Sequence, residues 1–193
     1  MYRYFLLYKP FGVLSQFTEE NGHPGLGSLF DFPKRAYPVG RLDLDSEGLI
    51  ILTDDPSLNA RLLDPNRGHA RTYLVLVEGL ITDEAIRKLE VGIDLRIDGR
   101  NFRTAAASAA RIAAPEVPER IPPVRFRKTV PDSWISLSLN EGKNRQVRRM
   151  TAAVGFPTLR LIRWAIGKLH MEDPTPGKVI EFTREELLRR IQG

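Results

Sequence analysis

Three carboxylates and an arginine lie between two glycines in the segment best suited to chemistry. It reads Gly40-Arg41-Leu42-Asp43-Leu44-Asp45-Ser46-Glu47-Gly48 and precedes the apolar run 49–52. Glycine adopts backbone conformations closed to other residues, so the segment predicts a tight turn, here named the acidic turn, and the run predicts a buried strand. A carboxylate on such a turn is held rigidly, as catalysis by a positioned acid requires.

Two other interpretations of the acidic turn stay open from the residues alone. It could be a charged turn that simply faces solvent. Its acids at alternate positions, followed by Gly48, are also similar to a calcium-binding loop. An EF-hand requires a helix on each side, whereas Pro33 and Pro38 would break an entering helix and the run after Gly48 favours a strand.

The composition excludes several kinds of site. The chain has 193 residues, a net charge of +5, no cysteine and three histidines. It therefore has no disulfide, thiolate zinc site or cysteine nucleophile, and the dispersed His23, His69 and His170 predict no metal site. No apolar run is long enough to span a bilayer, and residues 1–8 predict a strand rather than a signal peptide, so we expect a cytoplasmic protein without a membrane partner.

Basic residues are concentrated near the end of the chain. Between Asn140 and Arg163 the single acid is Glu141, and the basic residues are Lys143, Arg145, Arg148, Arg149, Arg160 and Arg163. Helical spacing over 144–154 places Val147 and Met150 on one face and three arginines on the other. One-signed clustering indicates phosphate binding or a partner for a buried acid, and the net charge agrees with a polyanionic partner.

The remaining elements predict an α+β fold with a mixed, mostly antiparallel sheet and flanking helices. Helices are predicted at 56–63, from an N-cap at Thr82 to a stop at Gly92, and after the capping box Thr183–Glu186. The proline-rich segment, residues 113–132, is predicted to be irregular and basic. Strands are predicted at 2–9, 71–78, 102–111, 134–139, 159–166 and 179–182.

Three segments together resemble the bacterial ribosomal RNA pseudouridine synthases. The acidic turn with Leu49 resembles their central motif, and Lys9-Pro10-Phe11-Gly12 resembles their N-terminal Lys-Pro-x-Gly motif. Residues 141–150, continuing through 155–157 and 159–163, resemble the C-terminal motif of the RsuA branch. In this order and spacing they cover nearly the whole chain, whose short form is most similar to the RluE-type enzymes of large-subunit (23S) ribosomal RNA.

The resemblance implies a pseudouridine synthase fold with two subdomains around a central cleft. The whole chain, 1–193, would be one catalytic domain, with approximate subdomains 1–64 and 65–193. The N-terminal RNA-binding accessory domain of many members is expected to be absent. Target recognition would then fall to the catalytic domain and the basic part of the proline-rich segment.

The resemblance also implies roles for individual residues. Asp43 would be the catalytic aspartate, Tyr73 would stack on the target base, and Arg148 would pair with Asp43. Lys9 would support the acidic turn, and residues 159–163 would line the pocket. The full set of expected substrate-binding residues is Lys9, Arg41, Lys143, Arg145, Arg149, Leu159, Arg160 and Arg163.

The implied reaction isomerises a specific uridine to pseudouridine in 23S ribosomal RNA. It is intramolecular, so no cofactor or metal is expected, and the partner would be ribosomal RNA or a large-subunit precursor bound by a monomer. Whether Asp43 attacks C1′ or removes a ribose proton stays open. The alternative is a catalytically inactive ribosome assembly factor that binds ribosomal RNA; a glycoside hydrolase would instead need two carboxylates across a sugar.

Overall fold

The computed structural model describes residues 2–63, 69–97, 99–125, 127 and 129–192. The helices in this part of the chain are α1 Pro56–Leu63, α2 Asp83–Val91, α3 Gln146–Ala153 and α4 Arg184–Gln192. The strands are β1 Tyr4–Lys9, β2 Tyr37–Pro38, β3 Glu47–Thr53, β4 Arg71–Glu78, β5 Asp94–Ile97, β6 Arg100–Arg103, β7 Ser108–Ile112, β8 Asp132–Leu139, β9 Thr158–Ile166, β10 Leu169–His170 and β11 Val179–Phe182.

The chain divides into two compact units. Unit 1 comprises Met1–His69 and Ile162–Gly193, and unit 2 comprises Ala70–Leu161. The expected boundary at 64/65 lies outside the described residues. The expected second subdomain also ran to 193, whereas residues 162–193 belong to unit 1, because their strands pair with strands from the start of the chain.

The sheet of unit 1 is built around two fully buried strands. β1 is antiparallel to β11 on one side and to β3 on the other. On the side of β3 away from β1, the C-terminal end of β3 pairs with β2 and its N-terminal end pairs in parallel with β9. Every residue of β1 and β3 is buried, which explains the continuous apolar runs 4–8 and 49–52 within them. Phe5, Leu7, Ile50 and Leu52 form the centre of the core with Phe32.

Unit 2 is an antiparallel sheet covered by helices. β4 pairs with β8 along its whole length, and β7 pairs with the other side of β8. β5 and β6 form a separate hairpin. The core combines Val75, Ile135 and Leu137 of the sheet with Leu89 of α2 and Met150 of α3.

The α+β fold with a mixed, mostly antiparallel sheet is confirmed. The predicted caps are confirmed too: Thr82 Oγ1 accepts a hydrogen bond from Ala85 N–H, and Thr183 and Glu186 bond reciprocally. The single strand predicted over 102–111 is wrong, since the structure has β6 and β7 there. None of the described helices combines the length and apolarity needed to cross a bilayer.

Gly48 is expected to be essential to the junction of β3 and β9. Its φ is +104°, and an added Cβ would overlap the carbonyl oxygen of Arg163. Gly48→Ala should therefore lose about 1–2 kcal/mol through backbone strain and at least about 2 kcal/mol more through the clash. Gly177→Ala is the matched control, because φ is +84° there with nothing within 4 Å of the added atom. If Gly48→Ala and Gly177→Ala lost the same free energy of unfolding in urea, this account would be contradicted.

Candidate active site

The acidic turn is a sharply folded loop that leads directly into β3. Gly40 and Gly48 have φ of 74° and 104°, as the sequence predicted for turn glycines. Within the turn, Ser46 N–H donates to the carbonyl oxygen of Asp43 at 3.0 Å. The flanking elements are strands β2 and β3, not helices, which excludes the EF-hand interpretation.

The three carboxylates of the turn differ in exposure. Asp43 is exposed, Asp45 is half-buried, and Glu47 is only 2% exposed at the start of β3. Leu42, next to Asp43, is buried. The turn therefore leaves Asp43 exposed to solvent between buried residues, whereas the burial of Glu47 suits a structural role.

Hydrogen bonds hold the backbone on both sides of Asp43. Gly12 N–H donates to the carbonyl oxygen of Leu44 at 2.9 Å. Ser15 Oγ donates to the carbonyl oxygen of Leu42 at 2.7 Å and accepts from Leu42 N–H at 3.0 Å. The segment that follows Lys9-Pro10 is thus bonded to both neighbours of Asp43 and restricts its direction.

Arg163 braces the same turn from β9. Its Nε donates to the carbonyl oxygen of Leu49 at 2.6 Å, and its Nη1 donates to that of Arg41 at 3.4 Å. The side chain is 4% exposed, and its backbone lies opposite Gly48 in the parallel β3–β9 pair. The sequence predicted Arg163 as a substrate-binding residue, but its burial and its carbonyl partners favour positioning the acidic turn.

Lys9 is completely buried beside this turn. Its Nζ donates to the carbonyl oxygens of Pro10 at 3.0 Å and Val13 at 2.6 Å, and its backbone lies opposite Gly48. The pKa of Lys9 is lowered to about 7, mainly by burial and also by nearby Arg163, while Glu47, Asp45 and Asp43 oppose the shift. Lys9 therefore contacts the backbone behind the turn, which supports the role expected for it.

Tyr73 lies on β4 in unit 2. Its ring is 9% exposed and belongs to the core cluster with Val75 and Leu137, the residue opposite it on β8. Packing on these side chains fixes the ring, and a fixed aromatic ring is suited to stacking against a planar base.

The basic helix α3 is shorter than predicted at its N-terminus. Arg145 has φ 51°, a left-handed conformation that ends the helical backbone, so α3 begins at Gln146. The buried side chain of Gln146 accepts a hydrogen bond from Lys143 N–H and donates to Glu141. The helix therefore begins two residues later than the predicted start at 144.

The two arginines of α3 and Arg145, the residue before the helix, occupy different environments. Arg145 is exposed, and Arg148 and Arg149 are half-buried. Arg149 Nη1 donates to the carbonyl oxygen of Arg96 at 2.8 Å and so ties α3 to β5. Lys143 is exposed, with its ammonium 5.3 Å from the ring centre of Phe102 on β6. The β5–β6 hairpin, which the sequence analysis missed, thus supports the basic helix.

Arg160 also makes a structural hydrogen bond. It is 6% exposed, and its Nη2 donates to the carbonyl oxygen of Pro118 at 2.8 Å. It therefore anchors the proline-rich segment, whose Lys128 lies outside the described residues. Leu159 is half-buried, and Arg41 is exposed next to the buried Leu42. In the described ranges, no group of three His, Cys, Asp or Glu could hold a metal ion.

Sequence reasoning missed Ser15 and the structural use of Arg160 and Arg163. Ser15 follows the Lys-Pro-x-Gly segment, but its partner Leu42 lies far along the chain, so no local pattern links them. The two arginines lie among apolar residues in β9, and a charged residue of a strand is by default expected to face solvent. A charge inside a strand whose other residues, except Thr158, are apolar is the one signal that could have indicated burial.

Comparison with known proteins agrees with this fold. Residues 3–153 match the RNA pseudouridylate synthase family. The chain is 49% identical over 173 residues to ribosomal large subunit pseudouridine synthase E of Xanthomonas axonopodis pv. citri, covering 89% of each. It is 36% identical to ribosomal large subunit pseudouridine synthase B of Bacillus subtilis, covering 96% of this chain and 70% of that one.

A crystal structure of a pseudouridylate synthase matches with a TM-score of 0.78 and 28% identity, covering 98% of this chain and 74% of that chain. The fold and the family match therefore define a domain of the pseudouridine synthase class. The chain belongs to the RNA pseudouridylate synthase family and is an enzyme of the isomerase type. The resemblance drawn from three motifs is confirmed.

Lys9 is expected to give the protein a distinctive pH dependence of stability. Its folded-state pKa of about 7 lies below the ordinary 10.5. Between these values the unfolded chain binds a proton that the folded chain has released, so the free energy of unfolding rises with pH. The penalty of burying the charge is fully present below about pH 7 and is relieved toward pH 10.5.

Lys9→Met should remove this rise of the free energy of unfolding with pH, even if the substitution also shifts that free energy by a constant amount at every pH. Urea unfolding at pH 7, 8.5 and 10 would show the wild type gaining stability relative to Lys9→Met. Lys88→Met is the control, because Lys88 is an exposed helix residue paired with Glu84. Parallel pH curves for wild type and Lys9→Met would show that Lys9 keeps its ordinary pKa.

Proposed function

We propose that this protein converts a specific uridine of large-subunit (23S) ribosomal RNA to pseudouridine, with Asp43 as the catalytic carboxylate. The observation that carries the proposal is the exposed Asp43 on a turn whose backbone is held on both sides. Relatives at 44–49% identity named as large-subunit synthases support the choice of RNA. The substrate would be ribosomal RNA or a large-subunit precursor, which places the reaction in the cytoplasm.

The reaction exchanges one bond of C1′ for another. The bond from C1′ to uracil N1 breaks, the base turns, and C5 bonds to the same C1′. The proton of C5 is released, and N1 takes up a proton, so no oxidant, reductant or second substrate is consumed. The nucleotide must leave its stack to reach a side chain, which requires a wall for the base and contacts to phosphates.

Asp43 acts at the sugar in this proposal, either by attack on C1′ or by removal of a ribose proton. Tyr73 stacks on the base, and its packing in the core of unit 2 supports a fixed ring. Arg148 is the cation that pairs with the Asp43 carboxylate in this proposal. Lys9 and Arg163 keep the turn in place through its backbone and neighbouring carbonyls.

Exposure separates the proposed phosphate contacts from the structural arginines. Arg41, Lys143 and Arg145 are exposed and are the primary contacts in this proposal. Arg149 adds a contact through the part of its guanidinium that does not bond Arg96. Arg160 holds the proline-rich segment in place instead. The alternative of an inactive assembly factor is not favoured, because the named relatives are synthases.

Asp43→Asn is expected to abolish the reaction and spare binding. The amide cannot act as nucleophile or base, so tritium release from 5-tritiated uridine in ribosomal RNA should fall at least about 100-fold. RNA affinity should stay within a few-fold, because phosphate contacts supply most of it. Asp45→Asn is the control and should retain measurable activity. Wild-type turnover by Asp43→Asn would remove Asp43 from the mechanism.

Arg148→Gln and Arg145→Gln are expected to fail in different ways. Loss of the partner of Asp43 should lower the single-turnover rate roughly 10- to 100-fold, since it disturbs the position of the reacting group. Loss of a phosphate contact should instead weaken RNA binding and reduce its salt slope by about one unit. If Arg148→Gln turns over normally and only binds weakly, the assigned pair is wrong.

The target can be tested in cells. Pseudouridine mapping in ribosomal RNA from cells lacking this protein should show one uridine of 23S RNA unmodified, and the wild-type gene should restore it. Asp43→Asn should not restore it. Loss of a modification in small-subunit RNA, with 23S RNA unchanged, would contradict the proposed substrate. Purified enzyme on naked 23S RNA and on large-subunit particles would then identify the stage at which it acts.

A further inference from the structure

We infer that Ser15 is a positioning residue for Asp43, and that its hydroxyl fixes the direction of the catalytic carboxylate through Leu42. The inference rests on the proposed function, which makes Asp43 the reacting group. A single hydroxyl bonds both polar backbone atoms of the residue before Asp43, donating at 2.7 Å and accepting at 3.0 Å. Both residues are buried, at 7% exposure each, so water does not compete for these bonds.

The residue on the other side of Asp43 is held by the same segment. Gly12 N–H donates to the carbonyl oxygen of Leu44 at 2.9 Å. Asp43 is therefore the exposed residue between two anchored neighbours, and both anchors come from residues 12–15. This arrangement fixes the backbone and leaves the carboxylate accessible, which is the combination that a reacting side chain needs.

Ser15 itself sits on a rigid base. Leu14 N–H donates to the carbonyl oxygen of Pro24 at 2.9 Å, and Leu26 N–H donates to that of Gln16 at 2.7 Å, so both neighbours of Ser15 are paired across a loop. The loop is also tightly closed, because a Cβ on Gly25 would overlap the carbonyl oxygens of residues 16–18. The hydroxyl cannot follow the acidic turn if the turn moves, and it therefore determines where the turn lies.

The chemistry of the side chain makes serine or threonine the suitable residue here. A hydroxyl donates one hydrogen bond and accepts others, so it can bond an N–H and a carbonyl of one residue together. Alanine removes both bonds, and a thiol replaces them with weaker ones. A displacement of the reacting group of about 1 Å can cost roughly 100-fold in rate, whereas RNA contacts elsewhere are unaffected.

The test measures chemistry and binding separately. With 5-tritiated 23S RNA from cells lacking the protein, Ser15→Ala should lose at least about ten-fold in single-turnover tritium release. The Kd for the RNA should stay within about two-fold, because no phosphate contact is lost. Ser15→Thr, which keeps the hydroxyl, should recover most of the rate. Ser28→Ala is the matched control, since its hydroxyl donates to the Gly25 carbonyl at 2.8 Å in the same loop, away from the turn.

A single-turnover rate for Ser15→Ala equal to that of the wild type would overturn the inference. The inference would also fail if Ser28→Ala, or Ser15→Thr, lost as much of this rate as Ser15→Ala. If Ser15→Ala does not fold, Ser15→Cys takes its place under the same criteria. Amide hydrogen exchange adds a readout that needs no activity: Leu42 should exchange at least about ten-fold faster in Ser15→Ala, with Ile50 unchanged. An unchanged Leu42 would overturn the inference, whereas inactive wild-type protein would overturn only the proposed function.

Discussion

The parallel pairing of β3 with β9 determines how the acidic turn ends. The pair is short, joining Glu47 and Gly48 to Ile162 and Arg163, and it brings an arginine from late in the chain under the turn. The close approach requires a glycine at 48, because any side chain there would occupy the space of the β9 backbone. The guanidinium then bonds carbonyl oxygens at the start and just past the end of the turn. Without this pairing the turn would lose the anchor supplied by Arg163 and would keep those from residues 12–15 and from β1.

Burial of charge is the energetic cost of this construction. Lys9, Glu47 and Arg163 are each less than 5% exposed, and removing three charged groups from water is unfavourable. The cost is offset by opposite charges and by carbonyl oxygens that accept from both cations. Such groups stabilise each other only as a set, since loss of one leaves another buried charge uncompensated. The region behind Asp43 is therefore specified by electrostatics as well as by shape, and this explains why it carries polar residues where a core would normally be apolar.

Much of the fold could be predicted from the sequence, because local signals agreed with the tertiary structure. β1 and β3 contain continuous apolar runs, apolar and polar residues alternate in β8, and the caps at Thr82 and Thr183 mark helix starts. The β5–β6 hairpin gave no such signal, since its short strands are mostly polar and exposed. At the site, the turn and Asp43 could be recognised from motif and glycine positions. The roles of Ser15, Arg160 and Arg163 could not, because each depends on a carbonyl oxygen contributed by a distant part of the chain.

The division into units also bears on how the protein is made. Unit 2 is one continuous stretch, Ala70–Leu161, so a growing chain can complete it as soon as that stretch has emerged. Unit 1 is discontinuous: β1 is synthesised before unit 2, yet its outer neighbour β11 and the buried arginine of β9 come after unit 2. During synthesis the edge of β1 that later pairs with β11 therefore remains exposed until β11 has been made. Exposed strand edges invite pairing with other chains, so a nascent chain that stalls before residue 179 would be prone to aggregate. Because Arg163 is synthesised after unit 2, the acidic turn is one of the last features of the protein to reach its final form.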